Sequence, residues 1–190
     1  MKSLRFTLTV ALITLTAMCL TSVYSMAQDA QKSPSDAQKS FDKLKTLAGS
    51  WEGPATMDPP DPDMKMNKPL HITLRVTSRG NALVHEMLEA GAVDDPTKTD
   101  HPVTTFYLEN DRLLLTHYCD AGNRPRMVAK SSPDGKTLDF DFLDVAGNLQ
   151  YGHMQHVKFT IVDANHHIEE WTFLMPGDKP MHGRMELARK

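Results

Sequence analysis

The chain has 190 residues, of which 40% are hydrophobic, with 24 acidic and 21 basic side chains and a net charge of −3. This length and apolar content suit one domain with a sizeable core. The acidic balance argues against nucleic acids and anionic membranes as partners, because both bind basic protein surfaces.

Residues 1–27 predict a secretory signal peptide. Lys2 and Arg5 precede an apolar run over 6–20, and the segment ends in the small-residue pattern Ser-Met-Ala at Ala27. The apolar run is too short for a permanent membrane span, so no stable membrane anchor is expected. The mature protein is therefore predicted to be exported, to the periplasm or the extracellular space.

Cleavage after Ala27 changes both the charge and the cysteine content. It removes Lys2 and Arg5, which lowers the net charge from −3 to −5, and it removes Cys19. Cys119 then remains as the single cysteine, so an intramolecular disulfide is excluded although an exported compartment would permit one.

The mature chain begins with a polar stretch, 28–34, that predicts a disordered tether. The barrel domain is expected over 35–190. Ser35 or Asp36 can cap a short helix in which Phe41 and Leu44 recur at helical spacing, and Gly49 supplies the stop.

From Trp51 onward, short apolar segments alternate with turn signals, which is typical of an all-β sandwich or barrel. Ten strands are predicted, at 51–57, 70–78, 82–90, 102–109, 112–119, 124–131, 137–145, 153–162, 167–175 and 181–189. Arg79-Gly80 and Asn110-Asp111 suit two-residue hairpin turns. An antiparallel meander of about ten strands is expected to close into an up-and-down barrel whose interior exceeds what its side chains fill. The proline-rich stretch 58–69 predicts a flap over one end.

The helix running into Leu-Ala-Gly-Ser-Trp at 47–51 resembles the start of calycin barrels, the group of lipocalins, fatty-acid-binding proteins and nitrobindin-like haem barrels. Thr116 to Cys119 followed by Gly122 to Met127 resembles a family of uncharacterised exported bacterial domains. The resemblance implies a barrel that binds a small apolar molecule, with Trp51 packed across its closed end. Nitrobindin-like members further imply haem as an alternative cofactor, held by a late histidine, here His182.

Strand alternation predicts which side chains line the interior. The expected inner wall is aliphatic and aromatic, with His85, His117 and Arg126 as polar exceptions. If Cys119 pairs with Arg124 across the loop 120–123, His117 faces Arg126. The predicted ligand-binding residues are His85, His117, Arg126, Phe106, Phe140 and Trp171, for a small hydrophobic or amphipathic molecule with a polar or acidic head.

Alternatives remain for this hairpin. His117 and Arg126 could lie at a solvated rim, or Arg126 could pair with Asp120 for purely structural reasons. The hairpin could also be reversed, because Leu114, Tyr118, Met127 and Tyr107 on its other face are fairly apolar.

The nine histidines all lie after residue 70, yet their spacing matches no zinc signature. His153 and His156 fall on opposite faces of a strand, and His166 and His167 are expected to be solvated. Alternation points His182 outward, which argues against a haem ligand there. No cofactor is therefore expected, with haem as the alternative.

The sequence contains no nucleophile elbow or phosphate-binding loop, and the neighbouring Glu169 and Glu170 cannot face each other across a substrate. An enzymatic function is therefore the less favoured hypothesis. The expectation is an exported ligand-binding barrel, with a haem or metal carrier and a filled structural or partner-binding barrel as alternatives. The sequence leaves the oligomeric state open.

Overall fold

A computed structural model of the chain describes residues 33–60, 68–95, 97–130 and 135–190. Ser35–Lys190 forms one compact unit. It contains helix α1 (Asp36–Lys45) and eleven strand segments. These are β1 (Gly49–Gly53), β2 (Ala55–Asp58), β3 (Leu70–Thr77), β4 (Ala82–Glu89), β5 (Val103–Glu109), β6 (Arg112–Tyr118), β7 (Asn123–Lys130), β8 (Thr137–Gly147), β9 (His153–Ile161), β10 (His166–Met175) and β11 (Lys179–Arg189).

The strands form one closed antiparallel barrel. From β3 to β11 each strand pairs with the next in sequence, and β1 pairs with both β3 and β11. β2 continues along β11 beyond β1, after an interruption at Pro54, whose nitrogen cannot donate to a sheet. With β1 and β2 counted as one interrupted strand, the barrel has ten strands. The predicted fold class is confirmed.

Helix α1 forms where the capping pattern predicts it. The Ser35 hydroxyl accepts a hydrogen bond from the Gln38 N–H at 3.2 Å, and Phe41 and Leu44 are buried on the inner face. The helix ends at Lys45, four residues before the predicted stop at Gly49, and Gly49 instead begins β1 with φ +140°. This positive φ favours glycine, and an added Cβ would also displace the guanidinium of Arg189.

The barrel has two unlike ends. The helix end carries α1 and the short connections 78–81, 110–111 and 162–165. The cavity end carries the connections 90–102, 119–122, 148–152 and 176–178. The predicted flap over 58–69 begins at this end, but residues 61–67 lie outside the described residues, as does the predicted signal peptide at 1–27.

The turn predictions succeed at the helix end. Asn110 and Asp111 both have positive φ, 50° and 59°, as a two-residue hairpin requires. The β3–β4 turn is longer than predicted, because Ser78–Gly80 forms one turn of 3₁₀ helix, but the pairing of Val76 with Leu83 is unchanged. The predicted inward face of β3 and β4 is therefore correct.

Most of the predicted inner wall is buried. The buried members are Ile72, Leu74, Leu83, His85, Phe106, Leu113, Leu115, His117, Leu138, Phe140, Val157, Phe159, Ile161, Trp171, Met185 and Leu187. Strand β6 keeps its predicted orientation, with His117 inward and Tyr118 exposed. The reversed hairpin is therefore wrong for β6.

The predicted pairing of His117 with Arg126 is wrong by one residue. Thr116 pairs with Arg126 and Leu115 with Met127, so Met127 faces the core and Arg126 faces outward. A shift of one residue turns a whole strand over. The loop takes this form because the Asn123 amide is drawn into the cavity end, where Nδ2 donates to the carbonyls of Asn148 and Gly152.

Among the described residues, no helix is long and apolar enough to cross a membrane.

Candidate functional site

A cavity of about 650 Å³ opens at the cavity end of the barrel. Its volume falls within the range of about 300–1,000 Å³ that is usual for small-molecule sites. The lining combines a mostly apolar wall with a few polar groups. It consists of Ala55, Thr56, Met57, Leu70, Met87, Asp100, Pro102, His117, Cys119, Asp120, Ala121, Tyr151, Met154, Trp171, Phe173, Met175, Met181, Gly183, Arg184 and Met185.

Methionine dominates this wall. Seven methionines lie among the described residues, and all except Met127 line the cavity. The methionine side chain is unbranched and polarizable, so it adapts to irregular shapes. The wall can therefore adjust to ligands of different outlines.

His117 lines the cavity, and only one of its two ring nitrogens has a hydrogen-bond partner among the described residues. The side chain is 3% exposed, and its Nδ1 shares a hydrogen bond of 2.8 Å with the Thr104 hydroxyl on the neighbouring strand. Its Nε2 is buried, and none of the described residues offers it a hydrogen-bond partner. Such a group is costly to bury unless a ligand or water completes its bonding.

His117 is neutral at physiological pH. Burial, assisted by the nearby His85, lowers the pKa of His117 to about 4. If the Thr104 hydroxyl donates to Nδ1, Nε2 carries the proton; if Thr104 accepts, Nε2 offers a lone pair. A hydroxyl group on a ligand can bond with Nε2 in either case.

Below the cavity lies a buried carboxylate, Glu169. Its oxygens accept hydrogen bonds from His85 Nε2 at 3.1 Å, His167 Nε2 at 2.9 Å and Trp171 Nε1 at 2.9 Å. Burial raises the pKa of Glu169, but the charges and hydrogen bonds of His85 and His167 outweigh it and hold this pKa well below its usual value. Ionised Glu169 only accepts, so each histidine carries a proton on Nε2.

Trp171 connects this buried group to the cavity. Its ring lines the cavity and packs against His117 and His85, with ring centroids 5.5 Å and 5.6 Å apart, while its N–H is held by Glu169. The network therefore fixes the orientation of the cavity floor.

The mouth of the cavity is acidic. The Asp120 backbone N–H donates to Asp100 Oδ1 at 3.0 Å, and burial together with the charge of Asp120 raises the pKa of Asp100. Burial, and to a smaller extent these two carboxylates, raise the pKa of Cys119. Cys119 is therefore a protonated thiol at neutral pH.

Exposed apolar side chains surround the same end. Of the seven large apolar side chains exposed in the described part of the chain, five lie here. They are Val93, Tyr118, Leu149, Tyr151 and Met175. An apolar molecule entering from outside would thus meet apolar surface before it reaches the cavity.

The predicted site residues separate into three groups. His117 and Trp171 line the cavity. His85, Phe106 and Phe140 face inward as expected but lie deeper in the packed core, where Phe106 and Phe140 have centroids 5.6 Å apart. Arg126 lies outside the barrel.

Arg126 is committed to structural ion pairs on the outer wall. Its Nε and Nη2 donate to the two Asp144 oxygens at 2.8 and 2.6 Å, and Glu109 lies at 3.8 Å. The hydrogen bonds and charge of Asp144 raise the pKa of Arg126. The alternative of a structural role is thus correct for Arg126, but its partner is Asp144 and not Asp120.

Two residues of the buried network were missed. His167, predicted to be solvated, is 1% exposed, whereas His166 is exposed as expected. Strand alternation held the signal, because an inward Trp171 places Glu169 and His167 inward as well.

Two other histidines belong to the outer surface. His182 is exposed and its Nδ1 bonds to the Thr172 hydroxyl at 3.0 Å, as the outward prediction for His182 requires. His156 lies near Asp139 and Asp141, with ligand atoms within 4.8 Å. His156 is bonded to Asp139 at 2.8 Å, and Lys130 pairs with Asp141, so these groups satisfy one another.

Comparisons with known proteins found similar solved structures but no matching family. No protein-family model matches the sequence, and no curated protein matches it significantly. One similar solved structure is a protein of unknown function from the DUF3598 family of Nostoc punctiforme PCC 73102, with 9% identity and a TM-score of 0.46. The match covers 77% of this chain, which spans 49% of that protein.

Proposed function

We propose that this chain is an exported calycin-type barrel that binds a small, mostly apolar molecule in the cavity, with a polar group of the ligand bonded to His117 Nε2. The observation that carries the proposal is a methionine-lined cavity of about 650 Å³ with His117 in its wall, a residue whose buried Nε2 has no hydrogen-bond partner among the described residues. Export rests on the features of residues 1–27.

The arrangement fits reversible binding. The wall gives favourable burial to an apolar body, at roughly 25 cal/mol for each Å² removed from water. Nε2 adds one directional contact, which orients the ligand. The raised pKa of Cys119 keeps its thiol protonated and weakly nucleophilic, which favours a binder or carrier over an enzyme.

Binding of N-phenyl-1-naphthylamine, an uncharged apolar fluorophore, tests the proposal. We expect a saturable rise in fluorescence with one site per chain. Mass spectrometry of organic extracts from the protein purified from its own organism should also release a small amphipathic molecule. Absence of both signals would contradict the proposal.

Two variants make this test specific. Gly183 lines the cavity and has no positive φ, and Met57 Sδ is the nearest side-chain atom to an added Cβ, at 3.4 Å. Gly183→Leu should therefore fill the cavity and abolish fluorophore binding. Arg126→Ala, on the outer wall, should leave binding unchanged. Circular dichroism checks that both variants fold.

Haem is the second candidate, and it depends on the same nitrogen. His117, and not the outward His182, offers a neutral buried imidazole in an apolar cavity, which suits axial ligation of haem iron. Addition of haem to the purified protein should then give a Soret band that shifts in His117→Ala. An unchanged spectrum of free haem would exclude this candidate.

A further inference from the structure

The charges around the cavity are strongly one-sided. Asp100 and Asp120 lie at its mouth, and neither carboxylate forms an ion pair with a lysine or arginine of the described residues. Both carboxylates disfavour a further negative charge inside the cavity.

The positive charges nearby are already committed. Within the described ranges, Arg184 is the one lysine or arginine that lines the cavity. Its guanidinium lies 3.2 Å from Glu170 and 3.1 Å from Glu186, so it carries no uncompensated charge. Arg126, which sequence alternation placed inside, is bound to Asp144 on the outer wall. In the described part of the chain, no lysine or arginine of the cavity lining is therefore free to compensate a carboxylate head.

The free nitrogen also favours an uncharged head. A carboxylate only accepts hydrogen bonds, so it bonds to Nε2 in one tautomer of His117 and is repelled by the lone pair in the other. A hydroxyl both donates and accepts, and it loses far less solvation on entering an apolar cavity than an ion does.

We propose that this cavity selects uncharged amphipathic molecules, such as a long-chain alcohol, and rejects the carboxylate of the same chain length. This inference rests on the proposed function and narrows it: an acidic head, which the sequence left open, is excluded by the placement of Asp100, Asp120 and Arg184. The ligand's body lies against the methionines and its hydroxyl bonds to His117.

Displacement of N-phenyl-1-naphthylamine by two matched competitors, dodecan-1-ol and dodecanoate, tests the inference at pH 8 and low salt. We expect dodecan-1-ol to displace the fluorophore at a concentration at least roughly tenfold lower than dodecanoate, a difference of about 1.4 kcal/mol. Equal displacement, or better displacement by dodecanoate, would overturn the inference while leaving the proposed function intact. Failure of the fluorophore and both competitors to bind would overturn both.

Charge variants identify the cause of the selection. The double variant Asp100→Asn with Asp120→Asn preserves side-chain size and removes both charges at the mouth. The affinity for dodecanoate should therefore rise several-fold relative to that for dodecan-1-ol. The matched control is Asp111→Asn with Asp163→Asn, which makes the same change in net charge at the helix end. An equal rise in dodecanoate affinity in both double variants would show that the total charge of the protein sets the preference for the alcohol. That result would overturn the assignment of this preference to Asp100 and Asp120.

Discussion

The two ends of the barrel use different residues for different purposes. At the helix end, the Trp51 ring packs perpendicular to the His167 ring, with centroids 4.3 Å apart, and the guanidinium of Arg189 lies over Trp51 at 4.1 Å from its centroid. At the cavity end, methionines surround open space. The contrast teaches that rigidity and adaptability are assigned to opposite halves of one core.

Arg189 explains why the helix end is closed. Its side chain donates to the carbonyls of Thr46 and Ala48, just after α1, and to that of Ala164 in the β9–β10 connection. These contacts join the last strand to the residues that follow α1. Inside the barrel, Phe159 packs against both Phe106 and Phe140. Close aromatic packing of this kind tolerates little change in volume.

The largest effect is expected at Trp51. Trp51→Ala removes a fully buried ring and its hydrogen bond to the Leu47 carbonyl, and should lower the free energy of unfolding by about 3–5 kcal/mol. Met175→Ala at the partly exposed rim should cost under about 1 kcal/mol. Urea denaturation measures both, and similar losses would contradict the division into a rigid and an adaptable half.

The second prediction concerns the buried network between the two halves. Glu169→Gln replaces an acceptor of three hydrogen bonds by an amide that presents donors to donors, and should cost about 3 to 4 kcal/mol. The folded pKa of Glu169 lies below its ordinary value of 4.5, so its contribution is complete above pH 4.5 and is lost as the pH falls below it. The difference in free energy of unfolding between the wild type and Glu169→Gln should therefore shrink in acid. A difference that stays constant with pH would contradict an ionised Glu169 in the folded barrel.

The third prediction is a pH dependence that arises from His117. Between pH 6.5 and about 4 the unfolded chain binds a proton at this histidine and the folded barrel does not, so stability falls as the pH falls through this window. The loss amounts to about 3 kcal/mol. The free energy of unfolding, measured at several pH values across this window, should depend less steeply on pH in His117→Leu than in the wild type. Equal slopes in the two proteins would place His117 in contact with water.

The smallest stability effect is expected for the methionines. Met154→Leu and Met185→Leu should each cost under about 1.5 kcal/mol, because leucine has a similar volume. Leucine is stiffer than methionine, so the double variant should bind a narrower range of apolar fluorophores. Met127→Leu, away from the cavity, is the control, and an unchanged range in the double variant would contradict an adaptable wall.

Much of the fold was predictable because alternation is a local signal. Alternation correctly placed His85, His117 and Trp171 inside, and the positive-φ residues of the Asn110-Asp111 turn set the β5–β6 register. Arg126 was misplaced because the β6–β7 register depends on Asn123, whose amide bonds to residues 148 and 152 on a distant loop. No local pattern encodes that contact.

The cavity itself was only partly predictable. A closed ten-stranded barrel implies spare volume, but aromatic residues from distant strands fill the helix end and confine that volume to the other end. The methionines of the cavity are spread over β2, β4, β9, β10 and β11 and meet only after the barrel closes. Their clustering follows from topology and not from sequence spacing.

The central claim is that a ligand bonds to His117 Nε2 inside the cavity. Nitrogen-15 NMR of the histidine side chains, recorded while dodecan-1-ol is added, tests this claim most directly. The account predicts a saturable shift of the Nε2 resonance of His117 with one equivalent bound, while the exposed His182 is unchanged. An unshifted His117 resonance in the presence of bound alcohol would contradict it.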